Sequence, residues 1–276
     1  MADAHKAKPA ARAIKPASKR VARVIKPATS LVSTASKRVA RVIKPAKSLV
    51  STSSKNENRV QLLKAYRRLV KLYGIPLRRR DGTALDELIL TILSQNTNDR
   101  NSSEGFRRLK AAFPDWAAVE KAPWQEVAAA LRVAGLANIK SRRIQSILRR
   151  LRETRGEHTL EFLRKMETAA ARDYLLAIPG VGPKTAACVL LFSFGMPVFP
   201  VDTHIHRVTR RLGIIPEKMS AEEAHEALQK LVPPDLTYPL HILLIRHGRD
   251  TCHAQRPSCP QCVLLSLCPT GKRLTA

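Results

Sequence analysis

The chain has 276 residues, of which 44% are apolar, so it is long enough to form one large or two small globular domains. Its 49 lysine and arginine residues outnumber its 22 aspartate and glutamate residues, and the resulting net charge of +27 makes a polyanion the expected partner. No run of about 18 apolar residues occurs, which excludes a transmembrane helix, and we expect no association with a membrane.

Residues 1–57 form a segment rich in lysine, alanine and proline. Within it, Ser18–Thr34 recurs as Ser36–Thr52 with a period of 18 residues and a single change, Thr29 to Lys47. The prolines interrupt any long helix, and the segment has too little apolar surface to offset the entropy of ordering, which predicts disorder when the chain is free. Sequence-independent attachment to phosphates and organelle targeting both remain open as its role.

From Asn58 onward the apolar residues follow helical spacing, and Gly74 is placed to end the first helix. The segment Ala84–Ser94 is apolar over most of its circumference, which predicts a buried central helix. A polar loop, Ser94–Asp99, follows it, with Asp99 as the expected N-cap of a helix to Ala112. The best strand candidate, 197–201, contains two prolines, so the sequence favours an all-α fold.

Two further helices are predicted in the middle of the chain, one from Pro123 to Gly135 and one from Ile139 to about Arg152. The second is strongly basic. Its residues Lys140, Arg142 and Arg143 are expected to contact phosphates rather than to read bases. Beyond residue 202 we expect a helix to Leu212, a helix capped at Ser220, and an apolar helix over Thr237–His247.

The segment Ile178–Thr203 combines a glycine hairpin with two residues capable of catalysis. Gly180 and Gly182 permit a tight turn and close approach of a phosphate to the main chain, and Pro183 favours the start of a helix to about Phe194. Lys184 lies in the first turn of that helix, where the dipole favours a neutral, nucleophilic amine. Asp202 occupies an N-cap position eighteen residues later. Each residue alone is as consistent with an ordinary solvated lysine or cap.

Four of the five cysteines are crowded near the C-terminus, at Cys252, Cys259, Cys262 and Cys268. Zinc sites generally pair two close doublets, whereas here only Cys259 and Cys262 form one. The spacing therefore favours an iron–sulfur cluster over zinc without deciding between them. The fifth cysteine, Cys188, is predicted to be a buried apolar residue rather than a ligand.

The sequences IPGVGPKTA (178–186) and VDTHIHRV (201–208) together resemble the helix-hairpin-helix and Gly/Pro…Asp signature of the endonuclease III family of DNA glycosylases. The resemblance extends over roughly Asn58–Pro269. Pro183 departs from the basic residue that many members carry there. By resemblance, Lys184 is the Schiff-base nucleophile, Asp202 is its catalytic partner, and Gly180 and Gly182 bind the DNA backbone.

The resemblance also implies roles for residues outside the hairpin. ILSQNTND (92–99) resembles the glutamine loop that fills the space left by an extruded nucleotide; the family spacing assigns this role to Asn96, with Gln95 as the other candidate. Leu136 matches the wedge that unstacks the opposite strand. The four cysteines resemble the ligands of a [4Fe–4S] cluster, and Arg256 lies between the first two of them, within reach of a phosphate.

The implied architecture is all-α and two-lobed, with a six-helix domain at 76–196, an iron–sulfur cluster domain from 58–75 and 197–276, and the basic arm at 1–57. The implied function is that of a monomeric, bifunctional DNA glycosylase and AP lyase of base excision repair. Its expected substrate is double-stranded DNA with an oxidised pyrimidine or an abasic site. A glycosylase fold that only binds DNA and a mismatch-specific glycosylase are the alternatives. The expected location is the cytoplasm at the nucleoid in a bacterium, or the nucleus or an organelle in a eukaryote.

Overall fold

The computed structural model describes residues 52–78 and 82–276, with the side chains of 52–55 left undescribed. The repeat and most of the predicted arm lie outside these residues. The helices are α1 (Thr52–Tyr73), α2 (Ala84–Leu93), α3 (Asp99–Ala112), α4 (Trp116–Lys121), α5 (Trp124–Ala130), α6 (Ala137–Arg155), α7 (Thr168–Leu176), α8 (Pro183–Cys188), α9 (Thr203–Arg211), α10 (Ala221–Leu231), α11 (Thr237–Asp250) and α12 (Pro269–Thr275). These residues contain no strand, so the all-α prediction is confirmed.

The predicted end of the arm at residue 57 is wrong, because Thr52–Glu57 already belong to α1. No proline follows Pro45 in this part of the sequence, so nothing prevents the helix from extending into polar residues. None of the helices in the described ranges is long and apolar enough to cross a membrane.

The first of two hydrophobic cores, which we call core 1, is built around α2. Thr83 and Asp86 form a capping box at its start, and the predicted C-terminal residue, Ser94, is its C-cap. Leu88 and Ile92 lie one turn apart and are fully buried, as the all-round apolar pattern predicts. Core 1 draws its buried residues from 84–190, including α3 to α8.

The second core, core 2, contains buried residues of α1 together with residues from 199–264. The Gln61 side-chain nitrogen on α1 donates to the carbonyl oxygens of Leu212 at 2.5 Å and of Leu267 at 2.9 Å. These bonds connect segments that are more than 150 residues apart in sequence. From the two cores we infer two lobes, one around core 1 and one around core 2, and α1 in the second lobe begins at Thr52 instead of the predicted residue 58.

Several predicted helix boundaries differ from those in the structure, because capping residues determine where a helix begins or ends. Asn98, not Asp99, caps α3, and its side chain accepts a hydrogen bond from Asn101 N at 2.9 Å. The helix predicted from Pro123 to Gly135 ends at Ala130, and a separate short 3-10 turn, Arg132–Ala134, follows it. Lys184 and Phe194 belong to one continuous helix, although its second half, Val189–Phe194, has π geometry.

Candidate active site

The hairpin between α7 and α8 combines a buried anchor with an exposed backbone. Ile178 and Val181 are buried, and Val181 N donates to Ile178 O at 3.1 Å. Gly180 has φ +84°, where side chains are strained, whereas Gly182 has φ −93° and serves as N-cap of α8. Both glycines are exposed, and Pro183 is the first residue of α8, as predicted. The hairpin therefore offers a fixed, open main chain to a ligand.

Lys184 is half-buried in the first turn of α8 and has buried titratable neighbours. Burial raises the pKa of Glu87, an effect that its hydrogen bond from Thr91 and the charge of Lys184 reduce only in part. Burial likewise raises the pKa of the Cys188 thiol to about 11, although Lys184 opposes the shift. Cys188 is thus protonated and buried, in agreement with its predicted role as an apolar residue.

Asp202 caps α9, as predicted, and its Oδ1 accepts a hydrogen bond from Ile205 N at 2.8 Å. The Asp202 side chain is half-buried. The half-buried imidazole of His225 and the buried imidazole of His241 both interact with the charges of Asp202 and Lys184. The structure therefore brings the two predicted catalytic residues into one electrostatic neighbourhood.

No sequence motif marked these two histidines as part of the site. Burial lowers the pKa of each to about 4, so both are neutral at physiological pH. His241 is 2% exposed, and its Nδ1 donates to the carbonyl oxygen of Pro200 at 3.0 Å. Its ring packs in T-shaped contacts with the rings of Phe192 and Phe199. The signal available in the sequence was a histidine within an otherwise apolar helix.

The four C-terminal cysteines are free and line one pocket together with apolar side chains, among them Val208, Leu212 and Leu264. In the part of the chain that the structure describes, no three His, Cys, Asp or Glu side chains form a group that could hold a single metal ion. The four thiols nevertheless line one common pocket, and four cysteine thiolates are the ligand set of an iron–sulfur cluster.

Hydrogen-bond donors point at three of these sulfur atoms. Arg211 Nη1 lies 3.3 Å from Cys252 Sγ, Leu264 N lies 3.4 Å from Cys262 Sγ, and Gly271 N lies 3.2 Å from Cys268 Sγ. Such donors stabilise thiolates, which are the form that binds metal. The donor set around the pocket thus fits a thiolate-bound cluster.

A family model described as HhH-GPD superfamily base excision DNA repair protein matches residues 89–234, a range that includes the hairpin, Lys184 and Asp202. The chain belongs to this superfamily. It is 33% identical over 207 residues to endonuclease III of Thermotoga maritima, covering 75% of this chain and 92% of that protein. It is 38% identical over 169 residues to a candidate DNA glycosylase of Arabidopsis thaliana, and the match spans 61% of this chain but only 58% of that relative's length.

The HhH-GPD fold is also seen in a solved structure of a trapped endonuclease III–DNA covalent intermediate. The two structures match with a TM-score of 0.69 at 30% identity, over 79% of this chain and 99% of the other. The match covers most of the described part of this HhH-GPD protein. The expected fold family is therefore confirmed.

In this HhH-GPD protein, Gln95 and Asn96 in the loop after α2 differ in their contacts and exposure. Gln95 is held inward: its Oε1 accepts from Arg143 Nη1 at 2.8 Å, and its Nε2 lies 3.5 Å from Thr185 Oγ1. Asn96 is exposed and has φ +54°. Of the two, Asn96 therefore has the side chain that is exposed and can insert into a bound ligand.

Leu136 precedes α6 in a left-handed conformation, with φ 50° and ψ 34°. Its side chain is 49% exposed, and Ile139 one turn later is 56% exposed. Two large apolar side chains thus face solvent at the start of a basic helix. Arg256, in the cysteine loop, is exposed and also has a positive φ of 48°.

Lys140 does not contact phosphates, contrary to prediction. It is only 2% exposed, and its Nζ donates to Leu93 O at 2.7 Å and to Ala134 O at 2.8 Å. Burial lowers the pKa of Lys140, and the two carbonyls stabilise its polar head. The residue caps the carbonyl ends of α2 and the 3-10 turn, because the first turn of α6 faces core 1.

The backbone of the cysteine loop is fixed by two arginines of α9 that sequence analysis missed. Arg207 Nε donates to Cys252 O at 2.9 Å. Arg211 donates to His253 O at 2.6 Å and to Ala254 O at 2.9 Å. Their spacing of four residues places both on one face of α9. This helix therefore connects Asp202, at its start, with the cysteine loop near its end.

Proposed function

We propose that this protein is a bifunctional DNA glycosylase and AP lyase that removes oxidised pyrimidines from duplex DNA. It acts as a monomer and nicks the abasic site by β-elimination through a Schiff base on Lys184. The observation that carries the proposal is the shared neighbourhood of Lys184 and Asp202, which both act on His225 and His241. The open hairpin beside Lys184 supports a DNA substrate.

In the proposed binding step, Gly180 and Gly182 present their backbone to a phosphate of the damaged strand. The damaged nucleotide leaves the base stack, which costs a few kcal/mol. Asn96 fills the vacated space and Leu136 unstacks the opposite strand, because both side chains are exposed on left-handed backbone. Arg256 contacts a phosphate from the cysteine loop, where its side chain is exposed.

In the proposed chemical step, Lys184 Nζ attacks C1′ of the extruded nucleotide, and the bond from C1′ to the base breaks as the base leaves with a proton. The sugar ring opens to an imine between Nζ and C1′. Loss of a C2′ proton then expels the 3′ phosphate oxygen, and water releases the lysine. The Asp202 carboxylate stabilises positive charge on the sugar and accepts the proton lost by the attacking amine.

We also propose that the thiolates of Cys252, Cys259, Cys262 and Cys268 hold a [4Fe–4S] cluster. When bound, the cluster supplies a covalent link across the loop 252–268 and has a structural role. The loop in turn contacts α9 through Arg207 and Arg211. The four sulfurs around one pocket and the hydrogen bonds to them support this proposal.

Borohydride trapping tests the nucleophile. Wild-type protein and duplex DNA with one abasic site should give a covalent adduct, because borohydride reduces the imine to a stable amine. Lys184→Ala should give none, while Lys230→Ala, an exposed lysine on α10, should react as wild type does. Undiminished trapping by Lys184→Ala would reject Lys184 as the nucleophile.

A panel of duplexes tests the substrate. An oxidised pyrimidine, an abasic site and an adenine mismatch would be compared in single-turnover reactions. We expect cleavage of the first two only. Excision of mismatched adenine alone would support the mismatch-specific alternative. Binding without any cleavage would support an architectural protein.

A further inference from the structure

The segment Pro197–Val201 leads directly into Asp202, and its backbone is held by side chains instead of by a strand. Phe199 N donates to the Oε1 of Gln229 at 2.7 Å. Gln229 Nε2 donates to the carbonyl oxygen of Pro197 at 2.8 Å. One side-chain amide thus pairs with a donor and an acceptor two residues apart, as a neighbouring strand would.

The orientation of this amide is fixed by its partners. Phe199 N can only donate and Pro197 O can only accept, so the reversed placement of oxygen and nitrogen would lose both bonds. Both bonds are short and connect α10 to the segment over about 30 residues of sequence. Gln229 therefore determines where the backbone of this segment lies.

Two histidines also lie beside the segment Pro197–Val201. His225 lies one helical turn earlier on α10, and the nearby backbone of Phe199 and Val201 opposes the lowering of its pKa by burial. His241, on α11, donates from Nδ1 to Pro200 O at 3.0 Å. Side chains thus bind the backbone at Pro197, Phe199 and Pro200, shortly before Asp202.

We propose that Gln229 is a positioning residue for Asp202. The inference rests on the proposed function, since it concerns the placement of the carboxylate opposite Lys184. Gln229 bonds the segment at Pro197 and Phe199, so it acts on Asp202 through the backbone of the segment. A small displacement of a reacting group costs rate rather than substrate affinity, and a shift of about 1 Å can cost about 100-fold.

The test compares Gln229→Leu with Gln145→Leu in the full-length protein. Gln145 is the matched control, because it is a buried glutamine whose amide nitrogen bonds the backbone carbonyls of Val119 at 2.9 Å, Glu120 at 3.4 Å and Ala122 at 2.7 Å, away from Asp202. Gln229→Leu should lower the single-turnover cleavage rate at saturating enzyme at least about 10-fold, with affinity for the duplex within about twofold. Gln145→Leu should lower the melting temperature while the rate per folded molecule stays at the wild-type value.

A second variant, Gln229→Glu, tests the inference through the pH dependence of the cleavage rate, which would not change if Gln229 only stabilised the fold. A protonated carboxyl can accept from Phe199 N and donate to Pro197 O, whereas a carboxylate cannot donate. The cleavage rate of Gln229→Glu relative to that of the wild type should therefore rise as the pH falls from about 8 towards the ordinary Glu pKa of about 4.3.

Three outcomes would overturn the inference: a wild-type rate in Gln229→Leu, a loss of rate that matches the loss of DNA affinity, or a pH-independent ratio for Gln229→Glu. If the wild-type protein cleaves none of the duplexes, the proposed function fails instead. The two failures are therefore distinguishable.

Discussion

The guanidinium of Arg143 donates to the side-chain oxygen of Gln95 at 2.8 Å and lies directly against Gly180. A Cβ added to Gly180 would come within 2.7 Å of Arg143 Nε. Arg143 thus joins the loop after α2 to the glycine hairpin. Two loops that we propose to contact DNA are thereby held in a fixed relationship.

Arg143→Ala should lower the affinity for a duplex with an abasic-site analogue about 10-fold, because the loop carrying Asn96 loses its anchor. The slope of log K against log salt should change little, since the guanidinium already bonds Gln95. Arg142→Ala is the control: Arg142 is exposed over the Trp124 ring, and its loss should reduce the slope by about 0.9 if it contacts a phosphate. A loss of 0.9 in the slope for Arg143→Ala would instead make Arg143 a direct phosphate contact.

The two hairpin glycines should respond differently to alanine. Gly180→Ala should destabilise the fold by about 1–2 kcal/mol in urea unfolding, because φ is +84° and the methyl group meets Arg143. Gly182→Ala should leave stability within about 0.5 kcal/mol, since φ is −93° and nothing lies within 4 Å of the added Cβ. It should nevertheless weaken DNA binding, because the methyl group keeps a phosphate from the main chain. If Gly182→Ala binds DNA with wild-type affinity, Gly182 does not contact the DNA backbone.

The cysteines should separate into two classes in metal analysis. Purified protein should be yellow-brown with about four irons per chain. Cys268→Ala should lose iron and lower the stability of core 2, whereas Cys188→Ala should keep its iron because Cys188 is buried beside Lys184. Stoichiometric zinc in protein prepared anaerobically with ample iron would contradict the cluster.

Stability should depend on pH through the buried histidines. In the folded chain the pKa of His225 and of His241 is lowered to about 4 by burial, from the ordinary value of 6.5. Below about pH 6.5 the unfolded chain therefore binds more protons, so the free energy of unfolding falls as the pH decreases towards about 4. His241→Asn cannot titrate but keeps a donor near Pro200 O, so its urea midpoint should fall less steeply over this range. An unchanged slope would show that His241 does not contribute.

The basic arm should dominate the salt dependence of DNA binding. Residues 1–55 contain fourteen lysine and arginine residues and one acidic residue. If about half of the basic residues engage phosphates, truncation at Ser54 should flatten the slope of log K against log salt by about 6. Single-turnover cleavage at saturating enzyme should barely change, because no proposed catalytic residue is removed. A full salt slope after truncation would favour organelle targeting as the role of the arm.

The all-α character of the fold and the helical positions of Lys184 and Asp202 could be predicted because they depend on local signals. The positions of Gly180, Pro183 and Lys184 follow from the rules for turns and helix starts, and the cap at Asp202 follows from side-chain chemistry. The grouping of four cysteines was likewise visible in their spacing. Each of these features involves residues close together in the sequence.

The remaining parts depend on contacts between distant segments, which no local pattern reveals. Lys140 sits on a basic helix, yet it is buried because its turn faces the carbonyl of Leu93, 47 residues earlier. Gln229 and Pro197 are 32 residues apart, and His241 and Pro200 are 41 apart. Their pairing depends on how α10 and α11 pack in core 2.

Asn96, Leu136 and Arg256 are the non-glycine residues with positive φ in the described ranges, 52–78 and 82–276. A left-handed conformation costs a side chain about 1 kcal/mol or more, and glycine would remove that cost. Engineering for thermostability alone would therefore select glycine at all three positions and erase the side chains that we propose insert into or grip the duplex. These three substitutions should therefore be avoided, and extra stability is better sought at exposed positions of the helices that surround core 1.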